Sequence, residues 1–284
     1  MVRSASPSLR PTGRVPPRAP RRALAPIALL ALPALALSLA GCEALSNSRL
    51  ATFGAEYWEA EPSGTIQGTN GAAIGDEIDV EDTLDLDSEK VWIYYAGGTI
   101  GPTRLEATWI DLESSGIATA PQSFDYGGVT YDAGDTVQGA IDTSVLQLHT
   151  ATPAAAWEMV TLGIVAGIDQ LVIDSQVGNL TDGTFAQEDY DEWVPVIGLV
   201  AGASFPAGGF EVFVDGKISG MYESISFGTF EGDYLSYLVR TGLDIDDGFK
   251  IGAGWRVLDA DIDDNHDDID FELDGLTFFA EMNF

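Results

Sequence analysis

Two groups of residues in this 284-residue chain have the types and spacing for chemistry: an acidic run near the C-terminus and a pair of histidines. In Asp261-Ile262-Asp263-Asp264-Asn265-His266-Asp267-Asp268-Ile269-Asp270-Phe271-Glu272, side-chain oxygens stand at positions 1, 3, 5, 7 and 12 of a twelve-residue window, the spacing by which a calcium loop wraps its ion. The run departs from that pattern where His266 replaces the glycine of the sharp turn and Asp268 replaces an apolar residue, and its flanks read as strands. The expectation is therefore a loose Ca2+ site, with Asp261, Asp263, Asn265, Asp267 and Glu272 as its oxygen donors. The competing reading is one more hydrated acidic loop. A histidine is the usual general base, and this chain has His149 and His266. His149 alternates with Val145 and Gln147 on one face of a strand and reads as an interior residue, while His266 sits among carboxylates that favour its cationic form, a poor base. With no Gly-x-Ser-x-Gly, phosphate loop or zinc pair in the chain, catalysis is not expected.

The charges are lopsided, 13 Lys and Arg against 45 Asp and Glu, for a formal net charge of −32. Arg3, Arg10, Arg14, Arg18, Arg21 and Arg22 all lie in the first 22 residues. The chain beyond Gly41 therefore carries 45 acids and only 7 bases. Such a chain repels phosphate backbones, so a nucleic-acid partner is not expected. The single cysteine, Cys42, excludes a disulfide framework, a Cys-rich zinc site and an iron–sulfur cluster.

The basic segment is followed by the apolar run 23–40 (ALAPIALLALPALALSLA), which has the form of a secretory signal and is too short and Pro-broken for a spanning helix. It ends in Leu39-Ala40-Gly41-Cys42, which resembles the bacterial lipobox. That resemblance implies a signal peptide over residues 1–41, a diacylated Cys42 and a short lipidated linker over 42–50. The alternative is ordinary cleavage after Ala34-Leu35-Ala36, which would leave a stray thiol. Glu43 in place of Asp after the cysteine permits sorting to the outer membrane.

From residue 51 on, short segments of period-2 alternation recur between turns rich in Gly, Pro, Asn and Asp, which reads as all-β. Ten such segments cover about 51–61, 89–100, 103–114, 138–150, 158–172, 193–205, 210–222, 232–244, 249–261 and 272–284, close to the roughly 9–11 residues of a tilted spanning strand. Their connections alternate long and short, the asymmetry of a closed antiparallel up-and-down transmembrane barrel with both termini on one side. The last segment is the clearest. Leu276, Phe278, Ala280, Met282 and Phe284 fall on one face, and Thr277, Phe279, Glu281 and Asn283 on the other. Strand two, Val91-Trp92-Ile93-Tyr94-Tyr95, is apolar on both faces and its phase stays open, as does eight strands against ten.

This architecture, the lipobox and the terminal Phe284 together resemble the small bacterial outer-membrane β-barrel proteins, the porin-like class that includes OmpA and OmpW, over residues 51–284. The resemblance implies outer-membrane lipids as surroundings, Phe284 as the signal read by the barrel assembly machinery, and a monomer. A soluble β-sandwich lipoprotein is the alternative. With the apolar face toward lipid, Arg104, Lys217, Arg240, Lys250 and Arg256 fall inside, together with Glu56, Glu106, Asp169, Glu211, Asp215 and Glu281. Opposite charges in so narrow a lumen should pair. Trp58, Trp92, Trp109, Trp157, Trp193 and Trp255 read as interfacial girdles. Acids gather in the first long connection (Asp76 to Glu89) and the third (Asp182, Glu188, Asp189, Asp191, Glu192). The expected role is a lipid-anchored, non-enzymatic barrel with a salt-bridged lumen and a structural or interaction role in the envelope. The alternatives are a narrow pore for small solutes or ions and a calcium-binding adhesin. Barrel enzymes of the omptin type, with an Asp/His constellation at the rim, and phospholipases with a Ser/His pair are the catalytic comparison.

Overall fold

The computed structural model describes residues 51–70, 73–221, 232–245, 248–264 and 267–284. These form thirteen strands: β1 (Ala51–Asn70), β2 (Ala73–Asp79), β3 (Glu89–Ile100), β4 (Thr103–Thr119), β5 (Phe124–Tyr126), β6 (Val129–Tyr131), β7 (Thr136–Ala156), β8 (Val160–Asn179), β9 (Phe185–Pro206), β10 (Phe210–Met221), β11 (Gly232–Ile245), β12 (Phe249–Asp264) and β13 (Asp267–Asn283). Ten of them make one antiparallel sheet, each paired with its neighbour in the chain order β1, β3, β4, β7, β8, β9, β10, β11, β12, β13. The sheet closes where β13 pairs with β1, from Thr52 opposite Asn283 to Gln67 opposite Asp268. β2 adds to the far end of β1, and β5 and β6 form a separate hairpin. The fold is a closed ten-strand up-and-down transmembrane barrel, which decides ten strands over eight.

Along several strands the polarity of the two faces reverses partway. On β8 the outward positions run Val160, Leu162, Ile164, Ala166, Ile168 and then Gln170, Val172, Asp174, Gln176, while the inward positions run Gly163, Val165, Gly167, Asp169 and then Leu171, Ile173, Ser175, Val177. β13 does the same, with Leu276, Phe278, Ala280, Met282 and Phe284 outside near the C-terminus and Asp270, Glu272 and Asp274 outside farther up. The half carrying Ala51 and Phe284 thus presents an apolar surface to lipid and a charged interior, the pattern of a spanning strand. The distal half presents a polar surface to water and encloses Trp58, Ile110, Leu112, Ile141, Leu171, Ile173, Leu258, Phe271 and Leu273, all at most 2% exposed.

The structure corrects two expectations and settles one open phase. Four acids of the third long connection, Glu188, Asp189, Asp191 and Glu192, lie on β9, and the acidic run 261–272 is largely the β12–β13 hairpin. The connections read as loops are strands: Asp189, Asp191, Asp261 and Asp270 lie on outer faces that have turned polar above the lipid, while Glu188 and Glu192 share the inward phase of Ala186 and Val194. Trp58 does not join a girdle. It is fully buried in the distal core, because its even position on β1 points inward, whereas Trp92, Trp157, Trp193 and Trp255 are exposed on the outer surface. Strand two takes a definite phase, with Val91, Ile93 and Tyr95 inside and Trp92 and Tyr94 outside.

Two insertions close the distal end. The turn after β2 is shaped by Asp79, whose carboxylate accepts the backbone N–H groups of Glu81 (2.9 Å) and Asp82 (2.7 Å), and it buries Val80, Leu84 and Leu86. It seats where Gly116 of β4 faces Gly139 of β7 across the ladder. A side chain at Gly116 would strike the Asp85 backbone, and one at Gly139 would strike Leu84. The β5–β6 hairpin buries Phe124, Tyr126 and Tyr131, and the Tyr131 hydroxyl donates to the Val177 carbonyl at 2.8 Å. Burial pushes that hydroxyl up to about 12.

The reversal on β8 has a measurable consequence. Ile164→Arg, on the lipid-facing half, should lower the stability of the barrel folded into phospholipid vesicles by about 2–4 kcal/mol. Gln176→Arg, on the same face but distal, should change it by no more than about 0.5 kcal/mol. Urea titration followed by tryptophan fluorescence measures both.

Candidate functional site

The interior of the lipid-facing half holds a cavity of about 350 Å³ lined by Glu56, Tyr95, Arg104, Glu106, His149, Asp215, Lys217, Arg240, Lys250 and Arg256, among others. Strand alternation places these side chains there. Arg104 and Glu106 come from β4, Asp215 and Lys217 from β10, and Lys250 and Arg256 from β12, each pair an even number of residues apart and so on one face. Toward the terminal end the network is partly solvated, with Arg104 35% and Asp215 24% exposed at the side chain. Toward the distal end Glu56 and Asp169 are fully buried and abut the apolar core. The cavity is a vestibule with one open end.

The charges pair in three groups. Arg256 donates Nε to Glu56 Oε1 at 2.8 Å and Nη2 to Glu56 Oε2 at 2.9 Å, a bidentate fork sealed from solvent. Arg240 forks onto Asp215, with Nε to Oδ1 at 2.9 Å and Nη2 to Oδ2 at 3.2 Å, and its guanidinium lies 4.8 Å from the Phe279 ring centroid. Glu281 is shared by the Tyr95 hydroxyl at 3.2 Å and by Arg240 at 3.6 Å, Lys250 at 3.8 Å and Arg104 at 4.0 Å. The planar fork of arginine suits such bidentate pairing.

A further chain of contacts crosses the lumen wall. Glu106 accepts from Lys217 Nζ at 2.8 Å, and its other oxygen lies 3.1 Å from Arg104 Nη2. Lys217 Nζ also donates to His149 Nδ1 at 3.2 Å, and His149 Nε2 meets Asp169 Oδ1 at 2.7 Å. Asp169 Oδ2 accepts from the Tyr234 hydroxyl at 2.9 Å and from Gln147 Nε2 at 3.1 Å. On sequence, His149 has no acid beside it. The β7–β8 register supplies one by pairing Gln147 with Asp169, and that register passes an irregularity between Pro153 and Ala155 that local pattern does not reveal.

Of the eleven residues expected to form an interior charge network, Glu56, Arg104, Glu106, Asp169, Asp215, Lys217, Arg240, Lys250, Arg256 and Glu281 line the lumen in these contacts. Glu211 points inward at the terminal end of β10, opposite Asp244 and below the three groups.

The candidate calcium ligands do not meet in one place among the described residues. Asp261 and Glu272 lie on the outer face of β12 and β13, where Asp261 is opposite Asp270 and Glu272 opposite Asp259. The side chains of Asp263 and Asp267, and all of Asn265 and His266, lie outside the described residues. Among the described residues no group of three acids, histidines or cysteines could hold a metal. On this outer face, partial burial and the facing carboxylates hold Asp259 and Glu272 above the usual carboxylate range. Their charged forms therefore oppose folding at neutral pH, an effect relieved as pH falls through their raised values. Cys42 is outside the described residues, and Phe284 ends β13's lipid face, edge-on to Phe53 at 6.1 Å.

One solved structure shares this fold at a TM-score above one half, and others align less closely. The outer membrane protease OmpT from Escherichia coli aligns with a TM-score of 0.52 and 12% identity, over 85% of this chain and 99% of that one. The attachment invasion locus protein Ail of Yersinia pestis aligns at 0.34 and 8%, over 82% and 97%, and the translocator domain of the autotransporter NalP from Neisseria meningitidis at 0.40 and 10%, over 91% and 97%. No protein-family profile matches the chain, and no curated protein matches its sequence. The likeness to OmpT is one of fold, and the fold is that of the bacterial outer-membrane β-barrels.

The buried fork makes a direct prediction. Arg256→Met leaves Glu56 charged and unpaired in a sealed site and should lower stability by about 3–5 kcal/mol, and adding Glu56→Gln should restore most of it. Denaturant unfolding of the two variants in vesicles gives both values.

Proposed function

We propose that the chain is a lipid-anchored outer-membrane barrel, held at Cys42 in the periplasmic leaflet, monomeric, non-enzymatic and closed to solutes, with a structural or interaction role in the envelope. The observation that carries this reading is the interior. The charged vestibule ends against an apolar core that fills the distal half, and two buried insertions lie above it. An ion leaving the charged zone would meet Leu171, Ile173, Leu258, Phe271 and Leu273 with no water to replace its hydration. Both termini of the barrel lie at the vestibule end, which supports a periplasmic mouth, on the side where a lipid on Cys42 would sit, with the acidic half outside the cell. The non-enzymatic part is supported by His149, whose two nitrogens are both engaged, by Lys217 and by Asp169. Phe284, at the end of an apolar lipid-facing stripe, fits the assembly signal of such barrels.

Single-channel recording of the refolded protein in a planar bilayer tests the reading. The native protein and an Arg240→Ala/Arg256→Ala variant should both stay silent, because the apolar core seals the lumen independently of the charges. Steady ion-selective steps from the native protein would replace this reading with a narrow pore whose selectivity residues are the inward arginines and lysines.

A further inference from the structure

The vestibule has two unlike walls. Charged side chains reach into it from β4, β10, β11 and β12, whereas the inward positions of β8 from Thr161 to Gly167 and of β9 from Val196 to Gly202 are all Thr, Val or Gly. These short side chains leave the cavity of about 350 Å³ open, with Ala151, Val165 and Val200 on its apolar side. That is the size of a small-molecule site. The charged wall has donors to spare. Lys217 ends on Glu106 at 2.8 Å and Arg240 on Asp215 at 2.9 Å, but Lys250 Nζ stands 3.8 Å from Glu281, beyond hydrogen-bond distance. Arg104 spends one Nη on Glu106 at 3.1 Å, stands 4.0 Å from Glu281 and has no acceptor at Nε. Among the described residues these contacts join four cations, Arg104, Lys217, Arg240 and Lys250, to three carboxylates, Glu106, Asp215 and Glu281. One positive charge is left over. Arg256 and Glu56 cancel, and Asp169 lies behind His149, held by Tyr234 and Gln147.

We propose that the vestibule binds a small organic monocarboxylate with an apolar body: its carboxylate takes the spare donors of Arg104 and Lys250 beside Glu281, and its body lies on Ala151, Val165 and Val200. Each wall selects one end of the ligand. An ammonium and a guanidinium can only donate, so the ligand must bring acceptors, and the charge left over favours an anion. The opposite wall carries no charge and gains only from hydrocarbon. Glu211 and Asp244, paired across β10 and β11 at the terminal end, oppose a second negative charge, which favours a monoanion over phosphate. Because the apolar core fills the distal interior, the ligand enters and leaves by the same mouth, and the site captures without conducting. That the ligand comes from the periplasm rests on the function proposed above; the site itself does not.

The test is isothermal titration calorimetry of the protein refolded in non-ionic detergent, with hexanoate, butanoate, hexanol and inorganic phosphate as probes and the heats from protein-free micelles subtracted. Hexanoate should bind saturably at one site. Butanoate should bind more weakly, by about fourfold for each methylene removed, and hexanol and phosphate should show no saturable binding. Lys250→Met, which keeps the length of the side chain and removes its charge, should weaken hexanoate by roughly ten- to a hundredfold. Val200→Phe, which fills the cavity from the uncharged wall, should abolish binding, and it serves alone if Lys250→Met fails to fold. Absence of saturable hexanoate binding, hexanol or phosphate binding as tightly as hexanoate, or full affinity in either variant would overturn the site. Compartment is decided separately. A Lys250→Cys variant should react with an impermeant maleimide only after the outer membrane is permeabilised, and labelling in intact cells would overturn the periplasmic source while leaving the site standing.

Discussion

The whole structure depends on the pairing of β1 with β13. In hydrocarbon each unpaired backbone N–H or C=O costs several kcal/mol, so a sheet that crosses the bilayer must have no free edge. The ladder from Thr52–Asn283 to Gln67–Asp268 removes the last one. Closure then fixes everything inside. With strands held at ladder spacing around ten positions, every inward side chain faces a partner across a narrow lumen. The chain has to fill that space with either paired charge or packed hydrocarbon, and it uses both, one above the other.

The division between the two fillings follows the solvent outside. Where the outer face meets lipid, the wall gains nothing from an apolar interior that it does not already gain from an apolar exterior, and the inner face carries the forks of Arg256 on Glu56 and Arg240 on Asp215. Where the outer face meets water, the barrel behaves as a soluble one and needs a hydrophobic core, supplied by Trp58, Phe271, Leu273 and the residues packed on them. The ionic half is not the stabilising half. Buried pairs barely offset their own desolvation, and their contribution is to hold each side chain in one orientation. The apolar half fills the distal interior and anchors the two distal insertions.

Much of this was legible in the chain, for a physical reason. Lipid on one side and charge on the other make a period-2 signal that Leu276 through Phe284 display without ambiguity, and the same signal fixes the inward phase of Arg104, Lys217, Arg240, Lys250 and Arg256. It fails where the solvent changes. Above the lipid boundary Asp174, Asp189, Asp261 and Asp270 face water from regular strands, and a run of outward acids on a strand has the composition of a loop. Trp58 was misplaced by composition, since a tryptophan near a strand end suggests an interface, although its even position on β1 points into the core. The contact between His149 and Asp169 depends on the register of β7 against β8 across the irregularity at Pro153, and no local pattern carries that register.

The central claim is that one strand changes solvent partway while keeping its alternation. Spin labels placed one at a time along β8 from residue 160 to residue 178 in vesicles test it most directly, by comparing accessibility to oxygen with accessibility to a water-soluble nickel complex. The account predicts that even positions up to Ile168 are open to oxygen, even positions from Gln170 on are open to nickel, and odd positions are shielded from oxygen throughout. Oxygen-accessible even positions along the whole strand, or alternation that shifts phase at the boundary, would contradict it.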